Sequence, residues 1–331
     1  MLKKFKKKSP PKNKPISRLQ GKPKVVVVLG PTSSGKSELG VELALRFNGE
    51  IVSADSRQVY RGLNVSSSKV PGRWQRRGRK RFFVYKGVVH HMIDFVSPRK
   101  QFTVAKYKKG AKRAIKRVLA KGKLPIVVGG TGFYINALAH NISIPKVPPQ
   151  KKLRKELEAL TTEQLVTRLK GLDPNRAKSI DLNNRRRLVR AIEIVVFTKS
   201  QIPPLESKNK EHSPYTLLEV GIKIPDEELK ERINAVVEKR VKNGVVREIK
   251  ALHRRGVSWR RLNNLGLEYK YISRYIRGNI DLENMKESMK REYWRYAKRQ
   301  VTWFKRDDDI IWVDSPEKAF PVVRDFLSRE V

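Results

Sequence analysis

Residues 25–40 read VVVVLGPTSSGKSELG, an apolar run that breaks into a glycine-bounded turn and then into a helical pattern. An unbroken β-branched run is what a strand requires when both of its faces are covered. The turn, Gly30-Pro31-Thr32-Ser33-Ser34-Gly35-Lys36-Ser37, fits G-x-x-x-x-G-K-[ST]. In that pattern the glycines permit a tight backbone whose amides converge on phosphate oxygens, and the helix N-terminus adds its partial positive charge. Lys36 is placed to reach terminal phosphate oxygens, and Ser37 to set a hydroxyl on Mg2+. The pattern asks for a diphosphate or triphosphate and leaves open whether a nucleotide carries it.

Outward from this loop, short β-branched runs alternate with helical periods. Strands are predicted at KVVVVLG, EIVSADS, KLPIVVGG and YTLLEVGIKI, with a late one at DIIWVDS, and helices at SELGVELALRF and VAKYKKGAKRAIKRVLAKG. The alternation predicts an α/β fold, a P-loop-type parallel sheet flanked by helices, made from residues 24–140 and 210–331. Residues 141–209 change character, being helical, basic and bounded by prolines, and are read as a helical insertion. The stretch DEELKERINAVVEKRVKNGVVREIKALHRR predicts one long helix with Leu229, Ile233, Val236, Val237, Val241, Val245, Ile249 and Leu252 on its apolar side. Residues 72–87, GRWQRRGRKRFFVYKG, are read as a basic loop, and the Lys- and Pro-rich residues 1–23 as a disordered basic arm.

Composition narrows the class. At 331 residues and 39% hydrophobic the chain can bury a sizeable core. It has no cysteine, which removes disulfides, thiolate zinc sites and cysteine nucleophiles together. Apolar runs stay near five residues, far below the roughly 20 of a membrane span, so a cytoplasmic protein is expected. The net charge of +43 calls for a polyanionic partner; nucleic acid comes first, anionic membrane second, with a generally basic proteome as the bland alternative.

A nucleotide hydrolase normally carries an acid at the end of a second buried strand, where it holds Mg2+ and orients water. Here LPIVVGG runs into Gly129-Gly130-Thr131-Gly132 with no carboxylate, and the acid appears instead as Asp55 in IVSADSRQVY. At the carboxyl end of a parallel strand, Asp55 is expected to face the phosphate loop across the crevice. Three roles remain open for it: binding Mg2+, capping a helix together with Ser56, or accepting a proton from a nucleophile.

The segments GPTSSGKS, EIVSADSRQVYRGL, HHMID, VVGGTGFYINAL, RRRLVRAIEI, ERINAVVEKRV and YAKRQVTWFKR occur in this order. Together they resemble the tRNA isopentenyltransferase family, the tRNA dimethylallyltransferases, from about residue 24 to residue 315. The resemblance implies transfer of a dimethylallyl group from dimethylallyl diphosphate to N6 of adenosine 37 in the tRNA anticodon loop, giving N6-isopentenyladenosine and diphosphate. It implies Mg2+ as cofactor, the tRNA anticodon stem-loop and the allyl diphosphate as partners, a monomer, and no membrane. The loop from Gly30 through Pro31, Thr32, Ser33, Ser34, Gly35 and Lys36 to Ser37 would then hold the donor's diphosphate, with Ser37 on the metal.

On the same resemblance Asp55 is the general base, Thr131 lies near it, and Arg232 stabilises the departing diphosphate. Contacts to tRNA are implied for Asp55, Ser56, Arg57, Gln58 and Thr131, and in the insertion for Arg154, Arg186, Arg187, Leu188, Val189 and Arg190. Arg295, Lys298 and Arg299 are further phosphate-binding candidates, while Trp294, Tyr296, Trp303 and Phe304 read as core. The adjacent His90 and His91 read as structural. The chain departs from the family pattern in Ser37, where Thr is frequent, in LNVSSSKV, and in residues 72–87, which are longer and more basic. LGLEYKYI stands in place of a GYKE signature, so no role is implied for Glu268 or Lys270. Two rival readings are a P-loop kinase or NTPase, which requires nucleotide turnover, and an RNA-binding protein with an idle phosphate loop.

Overall fold

A computed structural model describes residues 21–202 and 213–329. Contacts group the chain into two compact units, one from the segments up to Ala139 and from Pro214 onward, the other His140–Ser213. The expected basic arm lies outside the described residues except for its end, where the carbonyls of Lys22 and Pro23 accept hydrogen bonds from Thr216.

The first unit is built on strands β1 (Lys24–Leu29), β2 (Gly49–Ser53), β3 (Arg73–Arg77), β4 (Lys80–Tyr85), β5 (Val88–His91), β6 (Leu124–Gly129), β7 (Thr216–Ile222) and β8 (Ile311–Val313). They form one eight-stranded sheet in the order β3-β4-β5-β2-β6-β1-β7-β8. From β5 to β8 every neighbouring pair is parallel; β3 and β4 are antiparallel additions at one edge. The mostly parallel α/β class expected from the sequence is the class observed.

Helices α1 (Lys36–Arg46), α2 (Val104–Leu119) and α3 (Gly132–Ala139) belong to this unit. The second unit holds α4 (Lys151–Ala159), α5 (Thr162–Leu172), α6 (Pro174–Ser179) and α7 (Arg185–Thr198). The first unit is completed by α8 (Asp226–Lys242), α9 (Val245–Arg254), α10 (Trp259–Asn263), α11 (Leu267–Ile276), α12 (Leu282–Phe304) and α13 (Pro316–Ser328). Among the described residues no helix is long and apolar enough to cross a membrane.

The valine run shows why the sheet is covered on both sides. Alternate residues of β1 point to opposite faces. Val26 and Val28 pack with Leu39 and Leu43 of α1 and with Ala319 and Val323 of α13. Val25, Val27 and Leu29 pack with Tyr107, Ala111 and Ile115 of α2 and with Ile135 and Leu138 of α3. A third core joins Val59, Tyr60 and Leu63 to α8, α9, α11 and α12.

Two expectations are corrected. The stretch predicted as one long helix is two, because Gly244, at φ 85°, leaves the right-handed region after α8 and starts α9 on a new axis. The apolar period carries across the break, which hid it. Residues 72–87 are not a loop but the hairpin of β3 and β4, turning at Gly78. Nearly every β3 side chain is exposed, so it has no apolar alternation to announce it; Phe83 and Val84 of β4 are buried, and Phe83 meets Trp74 and His90 edge-on.

The second unit closes its own core with Leu157, Leu165, Leu169, Ala177, Leu188, Ala191 and Ile192. The starts of α5, α6 and α7 are capped by side chains. Thr161 and Gln164 form a reciprocal capping box on α5, and the buried Asp173 accepts from Arg176 N at 2.8 Å with Pro174 at the first turn of α6.

Candidate active site

The loop between β1 and α1 is tight, with Ser33 and Gly35 both left-handed at φ 64° and 89°. Lys36 folds back to donate from Nζ to the Pro31 carbonyl at 2.9 Å. Burial lowers its pKa from the ordinary lysine value to about 8, against an upward pull from the Asp55 charge. Ser34 Oγ is buried without a hydrogen-bond partner. The Ser37 hydroxyl makes no hydrogen bond among the described residues. A hydroxyl in the first turn of α1 without a protein hydrogen-bond partner suits Mg2+ that would take its other ligands from phosphate oxygens and water.

The turns after β2 and β6 are laced together beside this loop. Ala54 N donates to Val128 O at 2.7 Å, Thr131 N to Ala54 O at 3.3 Å, and Ser56 N to Thr131 Oγ1 at 3.1 Å. Asp55 Oδ1 accepts from Arg57 N at 2.7 Å and Gln58 N at 3.1 Å, so one carboxylate oxygen shapes the turn. No hydrogen bond among the described residues engages Oδ2. Tyr296 of α12 faces the same place: burial first, and the Asp55 charge second, push its hydroxyl up to about 12.

Gln300 ties the two sides of the crevice. Its Oε1 accepts from Thr32 N at 2.8 Å, and its Nε2 donates to Gly130 O at 2.6 Å. Gly130 is glycine because the space is taken: a Cβ there would lie 2.4 Å from Gln300 Nε2, 3.2 Å from Gly30 O and 3.4 Å from Lys36 Cε. Sequence reasoning singled out the charged neighbours of Gln300 and missed the amide itself. The available signal was its position in the buried stripe Met285, Met289, Tyr293, Ala297, Gln300 and Phe304, where it is the one amide.

Arg232, on α8, comes to the same loop, its Nη1 4.0 Å from where a Cβ at Gly35 would stand. It is half-exposed and paired with Glu228 at 2.5 Å, a contact of the kind that an incoming phosphate can replace. Of the other candidate cations, Lys298 pairs with Asp226 at 2.6 Å and Arg295 with Glu292 at 2.8 Å. Arg299 lies 6.0 Å above the Tyr296 ring.

The segment after Asp55 is held from beneath. Glu248 accepts from the N–H groups of Asn64 and Val65 at 2.8 Å and of Ser66 at 3.1 Å. The buried Arg240 donates to Ser68 Oγ at 3.0 and 2.9 Å and to the Tyr293 hydroxyl. Glu268, buried nearby, has its carboxyl pushed up by burial and pulled back by Arg240. His90 Nδ1 donates to Val88 O at 3.1 Å, and His91 Nε2 meets the buried Glu50 at 2.8 Å; both are structural positions.

In the second unit the insertion candidates divide. Arg154 grips both oxygens of the buried Glu193, at 2.7 and 2.8 Å. Arg190 reaches Glu193 Oε2 at 2.5 Å and Val147 O at 2.9 Å. Arg186 and Arg187 are exposed at the start of α7 and Val189 packs partly on the core. The Leu188 side chain is wholly buried there, and its amide donates to Asn184 O at 3.0 Å.

The chemistry available is group transfer: a phosphate cradle with a desolvated lysine on one side, and on the other a carboxylate with a spare oxygen. The profile of the IPP transferase family matches residues 58–307. Among similar proteins, the tRNA dimethylallyltransferase of Acetivibrio thermocellus is 38% identical over 314 residues, 92% of this chain and 97% of that protein. The crystal structure of a full-length tRNA isopentenylpyrophosphate transferase from Bacillus halodurans superposes with a TM-score of 0.65 at 33% identity, covering 93% of this chain and 96% of that one. A eukaryotic dimethylallyltransferase acting on tRNA shares the fold with a TM-score of 0.72 at 24% identity, over 92% of this chain and 80% of that one.

Proposed function

The chain belongs to the IPP transferase family, and from that premise we propose that it transfers a dimethylallyl group from dimethylallyl diphosphate to N6 of adenosine 37 in the tRNA anticodon loop. The observation that carries the residue assignment is the lacing of the phosphate loop to the Asp55 turn through Gln300, Gly130 and Thr131.

The loop Gly30–Ser37 holds the donor's diphosphate with its amides and Lys36. Ser37 would hold Mg2+, which would supply neutralising charge on that diphosphate. As the allylic carbon–oxygen bond breaks, its electron pair leaves with the diphosphate, and Lys36 and Arg232 stabilise the charge that gathers there. N6 of the adenine attacks the allylic carbon, and its proton passes to Asp55 Oδ2, the oxygen not spent on the turn. N6 is a weak nucleophile because its lone pair is delocalised into the ring, so a base within reach matters. The adenine leaves the anticodon stack to enter the crevice, with Thr131, Ser56, Arg57 and Gln58 around it. The helical unit, through Arg186 and Arg187, reads the anticodon arm.

The test is mass spectrometry of nucleosides from unmodified tRNA incubated with the protein, Mg2+ and dimethylallyl diphosphate, beside a reaction with ATP in place of the allyl donor. Donor-dependent N6-isopentenyladenosine at position 37 is expected. ATP turnover without allyl transfer would instead make the protein a kinase or NTPase.

A further inference from the structure

The β3–β4 hairpin has no part in the chemistry above, yet it concentrates charge. Arg73, Arg76, Arg77, Arg79, Lys80 and Arg81 are all exposed, and among the described residues no carboxylate pairs with any of them. Arg81 rests over the Trp74 ring, 5.4 Å from its centroid. Charge on an edge strand guards against strand addition. Here, however, it is gathered at the turn, and the register sets Arg76 opposite Arg81 and Arg77 opposite Lys80. Directly opposed like charges destabilise a hairpin, so this arrangement opposes folding unless an anion neutralises it.

The topology fixes where the tip lies. β3 runs in the same direction as β2, so the tip projects past the carboxyl edge of the parallel strands, the edge that carries Asp55 and the phosphate loop. Trp74, Phe83, His90 and Ile51 stand at one level across four strands. The Arg77–Lys80 pair and Ala54 are each three residues beyond that level. With strands about 4.8 Å apart, the tip sits about 10–15 Å to the side of the Asp55 turn. A hydrogen-bonded path joins the two: Trp74 Nε1 donates to Asp94 Oδ2 at 2.9 Å, Asp94 N to Gln58 O at 2.8 Å, and Gln58 N to Asp55 Oδ1 at 3.1 Å.

We propose that the hairpin tip, through Arg76, Arg77, Arg79 and Lys80, binds the sugar–phosphate backbone of the RNA beside the reacting adenosine. This rests on the reading that tRNA is the acceptor. Guanidinium groups without carboxylate partners, spaced along a ribbon next to the acceptor turn, fit successive phosphates of one strand.

The test measures binding of unmodified tRNA against salt concentration for the wild-type protein and for Arg76→Gln/Arg77→Gln/Arg79→Gln/Lys80→Gln. The slope of log affinity against log salt is expected to become shallower by about 2–4, and affinity near 0.1 M salt to fall about 10- to 100-fold. The loss in kcat/KM is expected to be carried by KM. A charge-keeping variant, Arg76→Lys/Arg77→Lys/Arg79→Lys, is expected to keep the slope. Unimpaired dimethylallyl diphosphate binding checks that the fourfold variant is folded; should it not fold, Arg77→Gln/Lys80→Gln is expected to show about half the change in slope. An unchanged slope, or self-association through β3 with tRNA binding intact, would overturn the proposal and leave the hairpin as an edge guard. A wild-type protein that neither binds nor prenylates tRNA would overturn the acceptor reading itself, whatever the hairpin does.

Discussion

The crevice at the sheet edge and the arginine cluster of the helical unit treat their carboxylates in opposite ways. Glu193 spends both oxygens inside its own fold, on Arg154, Arg190 and the Gln150 amide, and those partners hold its carboxyl below the usual range despite burial. Asp55 spends one oxygen on its turn and keeps the other unused. The crevice also keeps a desolvated lysine, a partnerless Ser34 hydroxyl and a free Ser37 hydroxyl. Counted along the sequence, both regions are polar and charged. Counted by partners, one is closed on itself and the other keeps unpartnered polar atoms among the described residues.

The sharpest way to break this comparison is at Asp55. Asp55→Ala is expected to cut turnover by roughly 10² to 10⁴, the usual range for a general base, in single-turnover assays with saturating tRNA and donor. Asp55→Asn keeps an acceptor for the Arg57 and Gln58 amides, so it should fold normally and lose as much rate. Near-normal turnover in Asp55→Asn would reduce the residue to a turn former.

Glu193→Ala probes the closed region. It strands the Gln150 amide and leaves two like charges facing each other. Because Arg154 and Arg190 remain 34% and 36% exposed, the expected cost is about 2–4 kcal/mol, somewhat under that of breaking a fully buried pair. Chemical denaturation checks it, and donor affinity should not move. A stability unchanged within error would mean that the cluster is as available to ligand as the crevice is.

Gln300→Leu removes the bridge between the two sides while keeping volume. Thr32 N and Gly130 O lose their partner, a cost of about 1–3 kcal/mol in stability, and kcat/KM should fall with it. Recovery of activity in Gln300→Glu, which restores only the bond to Thr32, would show that the Gly130 side is dispensable.

The smallest effect concerns Lys36 and pH. Its pKa in the free protein is lowered to about 8, and a bound diphosphate holds it charged. Affinity for dimethylallyl diphosphate is therefore full below pH 8 and weakens as pH rises through it, by up to about tenfold per unit. Calorimetric titrations at pH 7, 8 and 9 test this, and Lys36→Arg should flatten the profile. A flat wild-type profile would remove Lys36 from the diphosphate.

The central parallel strands β1 and β6 were legible because each is an apolar run long enough to be buried on both faces, and VVVVL shows it most plainly; β5, four residues ending in two histidines, was not read as a strand. The β3–β4 hairpin was not, since an edge ribbon exposed on most sides carries charges where a pattern would be. Gly244 was overlooked because the buried face resumes in phase after it. At the site, residue types with one common use, such as Lys36 after Gly35 or Asp55 at a strand end, stood out locally. Gln300 did not, because its meaning depends on two backbone groups 268 and 170 residues away in the chain. Arg154 and Arg190 show the converse limit: a cation in sequence does not disclose that its charge is already committed to Glu193.

The bridge at Gln300 also sets a timetable. β1 is hydrogen-bonded between β6 and β7, Lys24 reaches the Leu327 carbonyl, and Thr32 waits for a side chain near the end of α12. At the usual 5–20 residues per second of synthesis, the valine strand precedes Gln300 by roughly 15–60 s. The nascent chain presents an unpaired apolar strand to chaperones until β6 and then β7 emerge, and no completed phosphate cradle until Gln300 follows. The phosphate loop is translated long before the side chain that completes its assembly.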